Sequence, residues 1–337
     1  MAEDHLDRET AISAELTERG VKASAKSRFV AAFDRLCGNF IDLANAPIEA
    51  KTAESRALSA ARVREIEALT QVGIEKMKVD PDFADRAMRT RLGTVFARQE
   101  NKDAVVQQAL EDLRHKPPTE QEATSGTEKL DETFLNRFER YAEDASTDEL
   151  RARWGRILAT EVRKPGTVSN KVLRIVDEMD SVTATLFETL CRSRIADIIP
   201  SCLVPALDVA ELQKLLSADL MMDPGTFGLR RRLVSKNSTA GAEIWYGNLG
   251  DYAIAILKTA TITLGSPFET DLLAEDDGAI SYMAYFLTDA GKAISAILDD
   301  NQRSTIDRLE VALRAIVSPP ESIIKYELRG DTYQRIT

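Results

Sequence analysis

Arg230, Arg231 and Arg232 stand in a row in the segment GLRRRLVSKN, with Lys236 close behind. On a strand, such a run offers guanidinium groups that can fork onto phosphate or carboxylate oxygens. It equally fits a solvent-facing strand edge, where cations discourage pairing with another sheet. Contact with nucleic acid or a partner protein is therefore one reading of Arg230, Arg231, Arg232 and Lys236, and a protected edge is the other. Trp245-Tyr246, just ahead of Gly247-Asn248, supplies two rings that could stack on a base, although strand packing explains them as well. A second basic group, Arg151, Arg153, Arg156, Arg163 and Lys164, follows the polar side of a helix whose last turn favours cations.

Residues for catalysis are scarce. His5 and His115 are the only histidines, one near the N-terminus and one in a polar stretch, so a His-built metal site or triad has no material. There is no CxxC, HExxH or GxxxxGK[ST], and no GxGxxG after a strand. Asp271, Glu275, Asp276 and Asp277 form an acidic run before Gly278, but their spacing is not that of a calcium loop and a solvated turn accounts for them. Glu143, Asp144, Asp148 and Glu149 gather where a helix dipole welcomes negative charge. Glu49 and Lys51 have a nuclease-like spacing in a helical context that lacks strand geometry. Cys37, Cys191 and Cys202 show no paired spacing and read as reduced packing residues. No catalytic, cofactor-binding or metal-ligating residue is assigned.

The totals narrow the setting. A formal net charge of −11 over 337 residues argues against a chain devoted to non-specific nucleic-acid binding, while leaving room for a local basic patch. No apolar run approaches the ~20 residues needed to span a bilayer. MAEDHLDRET lacks the basic and apolar character of a secretion signal. The expectation is a cytoplasmic protein without membrane contact.

The elements that must position these residues are clearest between Asp144 and Phe187. Ser146 with Glu149 reads as a capping box, and Leu150, Trp154, Ile157, Leu158 and Val162 recur at helical spacing. Trp154 is thus a structural anchor rather than a ligand platform. Pro165-Gly166 stops that helix. Ser169 caps a second, with Val172, Leu173, Val176 and Met179 on its apolar face. Asp180 or Ser181 caps a third that carries Val182, Leu186, Phe187 and Leu190. Three such stripes call for burial in one bundle.

Upstream, residues 1–28 read as a flexible lead-in. Phe29, Ala32, Phe33, Leu36, Phe40 and Leu43 then mark an amphipathic helix. Ala-, Glu- and Arg-rich helices run from Ala50 to Leu113 with a break at Asp80-Pro81, the second carrying Leu92, Val95, Phe96, Val106, Leu110 and Leu113. Such helices serve as self-associating arms or lie against their own bundle. The polar stretch 115–129, with Pro117-Pro118 and Ser125-Gly126, reads as a linker. Beyond Pro200 come a short helix around Leu212, the strand with Arg230, strands around a Gly247-Asn248 turn, the strand ISYMAYFLT, a helix started by Thr288, and a tail with edge-strand character.

The run Phe138–Phe187, with Glu149-Leu150, Trp154-Gly155-Arg156-Ile157-Leu158-Ala159, Glu161-Val162, Pro165-Gly166 and Ser169, resembles an uncharacterised bacterial and prophage family classed only as a domain of unknown function. The likeness extends back to Arg98-Gln99-Glu100-Asn101 and forward to Phe286-Leu287-Thr288 with Gly291, a wing-to-helix step in such proteins. Arg151, Arg153 and Asn170-Lys171 depart from the family pattern. The Trp-containing helix is also distantly similar to abortive-infection alpha proteins. That resemblance implies a cytoplasmic role in phage defence or mobile-element biology.

Together these readings predict a mainly α protein: long N-terminal helices over 29–114, a central bundle over 130–200, and a small α+β winged-helix-like domain over 201–337. The leading functional expectation is a non-catalytic interaction or sensor protein, a homo-oligomer or one with a protein partner. A nucleic-acid-binding regulator acting through the C-terminal domain is the first alternative. A carboxylate- and metal-dependent enzyme such as a nuclease is the second.

Overall fold

The computed structural model describes residues 23–37, 80–119, 122, 127, 129–238, 241–267, 272–330 and 332–336. The chain divides into two compact units, residues 1–167 and 168–337. That division falls inside the segment expected to form one central bundle.

The first unit is helical. It holds α1 (Ala23–Cys37), α2 (Pro81–His115), α3 (Glu132–Glu143) and α4 (Asp148–Arg163). Pro81 is the first residue of α2, as its locked φ and missing amide hydrogen favour. α2 and α4 form the largest interface, and α1 and α3 pack onto both. The core gathers Phe29, Ala32 and Leu36 of α1, Val106, Leu110 and Leu113 of α2, Phe134 and Phe138 of α3, and Trp154, Ile157, Leu158 and Val162 of α4. Trp154 is 2% exposed, with the Tyr141 ring stacked at 4.9 Å and Phe138 edge-on at 5.9 Å. The α4 cap is Thr147, not Ser146: its hydroxyl accepts the Leu150 amide at 3.2 Å. Asp148 and Glu149 become the first two residues of the helix, beside the positive end of the dipole. At the other end of α4, buried Arg28 donates to the carbonyls of Val162 and Arg163, which no intrahelical amide reaches.

The second unit starts with α5 (Asn170–Glu178) and α6 (Ser181–Cys191), capped by Ser169 and Asp180. Val182 turns outward, 59% exposed, while Thr183, Phe187, Leu190 and Cys191 form the buried side of α6. Next come β1 (Ile198–Pro200), α7 (Val209–Ser217), β2 (Arg230–Asn237), β3 (Glu243–Leu249), β4 (Tyr252–Leu257) and the short β5 (Thr261–Ile262). β6 (Ala274–Asp276), β7 (Ala279–Phe286), α8 (Asp289–Ser295), α9 (Gln302–Arg314), β8 (Val317–Ser318), β9 (Ile323–Arg329) and β10 (Thr332–Ile336) complete it.

These strands overturn the expected mainly helical chain with a small winged-helix-like end. An eight-stranded antiparallel sheet dominates the C-terminal half, in the order β1-β7-β2-β3-β4-β9-β10 with β6 also on β7. Ile280 and Ser281 of β7 pair with β2 on one side and β6 on the other, so β6 and β1 share one column beside β7. Several pairings join distant segments, β1 with β7 and β4 with β9, and local periodicity carries no sign of such partners. The turn between β3 and β4 is at Gly250-Asp251, while Gly247-Asn248 continues β3, because Gly247 and Asn248 pair with Ile254 and Ala253. Asp277 and Gly278, both at positive φ, close a tight hairpin from β6 to β7.

One face of the sheet forms the core with α9. Leu233, Leu249, Ile254, Ile256, Ile280, Tyr282 and Ile323 meet Ile306, Leu309 and Leu313 there. Lys325 also points to this side. It is 7% exposed, and its Nζ lies 2.8 Å from Glu310 Oε2 and contacts Asp307. Arg314 meets Glu310 at 2.6 Å. Burial alone would raise the Glu310 carboxyl, but hydrogen bonds from Lys325 and Arg314 outweigh it and hold the group below the ordinary 4.5. For Lys325, burial pulls downward and the two carboxylates lift it above 10.5.

The signs follow from linkage. Glu310, depressed on folding, stabilises fully above about 4.5, and that contribution disappears as pH falls through the lowered folded value. Lys325, raised on folding, stabilises fully below about 10.5 and loses its contribution as pH rises through the elevated one. Calorimetric melting across the acid range is expected to show a shallower loss of Tm in Glu310→Gln than in the parent. Identical acid limbs would show that this carboxylate does not govern acid unfolding.

Candidate functional site

The three arginines of β2 separate as soon as the strand forms, because successive side chains point to opposite faces. Arg230 is half-buried and donates to Ser281 Oγ at 3.0 Å, Pro267 O at 3.1 Å, and the carbonyls of Leu272 and Ser281 at 2.6 and 2.8 Å. It ties Pro267 and Leu272 to the sheet. Arg231 takes the core side, opposite Tyr282, where it donates to the Asn248 carbonyl and lies 3.9 Å from Asp197. Arg232 is exposed and donates to the Asp277 carbonyl at 2.9 Å. Lys236 is exposed as well, its ammonium 4.6 Å from the centre of the Tyr246 ring, a cation–π arrangement. Trp245 faces the other way and is covered by Lys258 at 4.5 Å.

Register then shows which residues share the face away from the core, since directly opposed residues lie on the same side. Val234 is opposite Tyr246, and Tyr246 opposite Ala255. Ala255 is opposite Ile324, and Asn248 opposite Ala253. Ala253 is opposite Tyr326, which is opposite Arg335, and Leu328 is opposite Tyr333. The outer face thus carries Tyr246, Tyr326 and Tyr333, with Arg232, Lys236 and Arg335 around them.

Ala253 and Ala255 are fully buried and form its floor, while the three tyrosines are half-buried. Asn248 Nδ2 donates to the Tyr333 hydroxyl at 3.0 Å, and that hydroxyl donates to the Gly250 carbonyl. Burial pushes the Tyr246 phenol up, Tyr333 adds to the shift, and a hydrogen bond with Asn248 opposes it. The Tyr246 phenol therefore stays protonated at neutral pH. The tail pattern IIKYELR-G-D-TYQRI does alternate as a hairpin would, and that alternation was the available signal for Tyr326, Tyr333 and Arg335.

In the first unit, α2 presents a second surface. Leu92, Val95 and Phe96 continue the stripe that Val106, Leu110 and Leu113 bury further along the same helix. Leu92 is 47% and Phe96 63% exposed. The other basic group is largely absorbed into structure. Arg163 is buried, donating to Lys116 O and Asp112 O at 2.9 Å and pairing with the Asp112 carboxylate. Arg151 donates to Asn101 Oδ1 at 2.8 Å, and Asn101 Nδ2 in turn donates to Glu143 O at 2.7 Å.

The remaining candidates are dispersed. Burial pushes the Cys191 thiol up to about 12, so it is not a nucleophile at neutral pH. Cys37 and Cys202 are unbridged and half-buried. His115 ends α2 in an exposed position. Among the described residues, no three His, Cys, Asp or Glu side chains are grouped to hold a metal ion. His5, Glu49, Lys51 and Asp271 lie outside the described residues, as do residues 1–22 and 38–79 with Phe40, Leu43 and the first of the long predicted helices. No described helix is long and apolar enough to cross a membrane.

With this geometry in place, comparison with known proteins adds one finding. Residues 86–196 match the model of a family described as proteins of unknown function, DUF2806. The matched stretch runs from the exposed part of α2 through the Trp154 helix to the end of α6, and stops before β1. No curated protein and no solved structure matches the chain.

Proposed function

We propose that this chain is a non-catalytic interaction protein that self-associates through α2, with phage defence or mobile-element biology as its setting. The observation that carries the reading is the exposed pair Leu92 and Phe96, with half-buried Val95 beside them, on a stripe that is buried elsewhere along the same helix. An apolar helix face in water gains roughly 25 cal/mol for each Å² it covers, and a second copy offers a matching stripe. The 35-residue α2 is about 52 Å long at 1.5 Å per residue, so two copies can overlap along several turns.

Light scattering coupled to size exclusion tests this directly. The parent chain is expected to run as a dimer or larger species whose population falls on dilution. Leu92→Glu with Phe96→Glu is expected to give a monomer with unchanged far-UV circular dichroism, because both residues are exposed. A parent that stays monomeric at every concentration would defeat the proposal.

A further inference from the structure

We propose that the outer face of β2, β3, β4, β9 and β10 is a binding site for single-stranded nucleic acid. This inference concerns the second unit alone and does not depend on self-association through α2.

Charge sorting is the first argument. The chain carries a formal charge of −11, yet the outward positions of these five strands hold Arg230, Arg232, Lys236 and Arg335 and no carboxylate. The only Asp or Glu residues within those strands, Glu243 and Glu327, pair opposite Asn237 and Tyr252 and therefore face the other side. Arg230 donates to the carbonyls of Pro267 and Leu272 and Arg232 to that of Asp277, so Lys236 and Arg335 are the phosphate contacts.

Shape and chemistry supply the second argument. Tyr246, Tyr326 and Tyr333 rise from a floor of alanines on adjoining strands, and Val234 beside them is 45% exposed. Rings on a sheet surface, edged by cations, are what a strand of unpaired bases requires: every base has a face to stack, and its phosphates run along the rim. Lys236 covers Tyr246 in the free protein and can swing to a phosphate when a base takes its place, since its four-carbon stem is flexible. Duplex offers no free base faces to such a platform. An acidic protein segment would use the cations and leave the rings idle.

The experiment is a fluorescence anisotropy titration of the full chain against a labelled oligothymidylate at low salt. Saturable binding is expected, weakening as salt rises. The slope of log K against log[salt] is expected to fall by about 0.7 for each phosphate contact removed. Lys236→Glu with Arg335→Glu, both at exposed positions, should weaken binding about tenfold or more. Tyr326→Ala should cost about tenfold, and Tyr326→Phe, which keeps the ring, should restore it. Circular dichroism of each variant confirms that the sheet is intact. Absence of saturable binding, indifference to the charge reversals, or equal affinity for a duplex of the same sequence would overturn the proposal. So would equal affinity for polyglutamate, which would mark the face as a site for acidic protein instead.

Discussion

Trp154→Ala is expected to destabilise the protein by about 3–5 kcal/mol, a cost typical of emptying a large aromatic site. The site is shared by three helices. The indole of α4 lies between the stacked ring of Tyr141 and the edge of Phe138, both on α3, and α4 packs along α2. The void left by alanine cannot close by side-chain rotation, since Phe138 and Ile157 are themselves fully buried. Chemical denaturation followed by far-UV circular dichroism should show the loss as a lowered midpoint. Trp154→Phe, which keeps one ring, should lose markedly less. A loss below about 1 kcal/mol in the alanine variant would place Trp154 outside the core that holds the first unit together, because surface truncations seldom exceed that.

Gly291→Ala is expected to be comparably costly for the second unit, near the upper end of overpacking at about 3 kcal/mol. A Cβ at this position would lie 2.0 Å from the Leu220 carbonyl oxygen and 3.0 Å from its carbon. The obstacle is main chain and cannot rotate away. That carbonyl also accepts the Thr288 amide at 3.2 Å, and Thr288 caps α8 through its hydroxyl. Moving Leu220 therefore also disturbs the start of α8. Gly93→Ala is the matched control: nothing lies within 4 Å of its added Cβ in the middle of α2, so helix propensity predicts a gain of about 0.5–1 kcal/mol. Equal melting temperatures for the two alanine variants would refute the close-approach argument.

Trp154 lies within the stretch 86–196 that matches the family model, Gly291 lies beyond it, and both are explained by packing. Arg151 and Asn101, also within that stretch, meet between α2 and α4 and connect to the end of α3. The two surfaces proposed to bind, the α2 stripe and the tyrosine face, owe their character to side chains that the described structure leaves exposed or half-buried.

The helices were legible from the chain itself because their signals are local. Caps at Ser169, Asp180 and Thr288, the stop at Pro165-Gly166 and the start at Pro81 act within a turn or two of the residue that carries them. The Trp154 stripe, likewise, needs only a 3.6-residue period and a partner of any identity. Where two residues could serve, as at Ser146 and Thr147, locality was insufficient, because both can cap and only the path of the chain between α3 and α4 chooses.

The sheet was not legible, and the candidate face followed it into obscurity. A strand announces alternation but not its neighbour, and here β1 crosses to β7 and β4 to β9 over whole intervening elements. Arg230, Arg231 and Arg232 look like one basic patch in the sequence, but strand geometry sends the middle one to the opposite side and hydrogen bonds bind the first to the carbonyls of Pro267 and Leu272. Tyr246 and Tyr326 are far apart in the chain and become neighbours only across β4. The amino-acid sequence by itself determined the described helices, most of their ends and the scarcity of histidine, because each depends on near neighbours or on composition. The tertiary structure alone decided the size of the sheet, its register, and which cations and rings share a face, because those depend on pairing between distant segments.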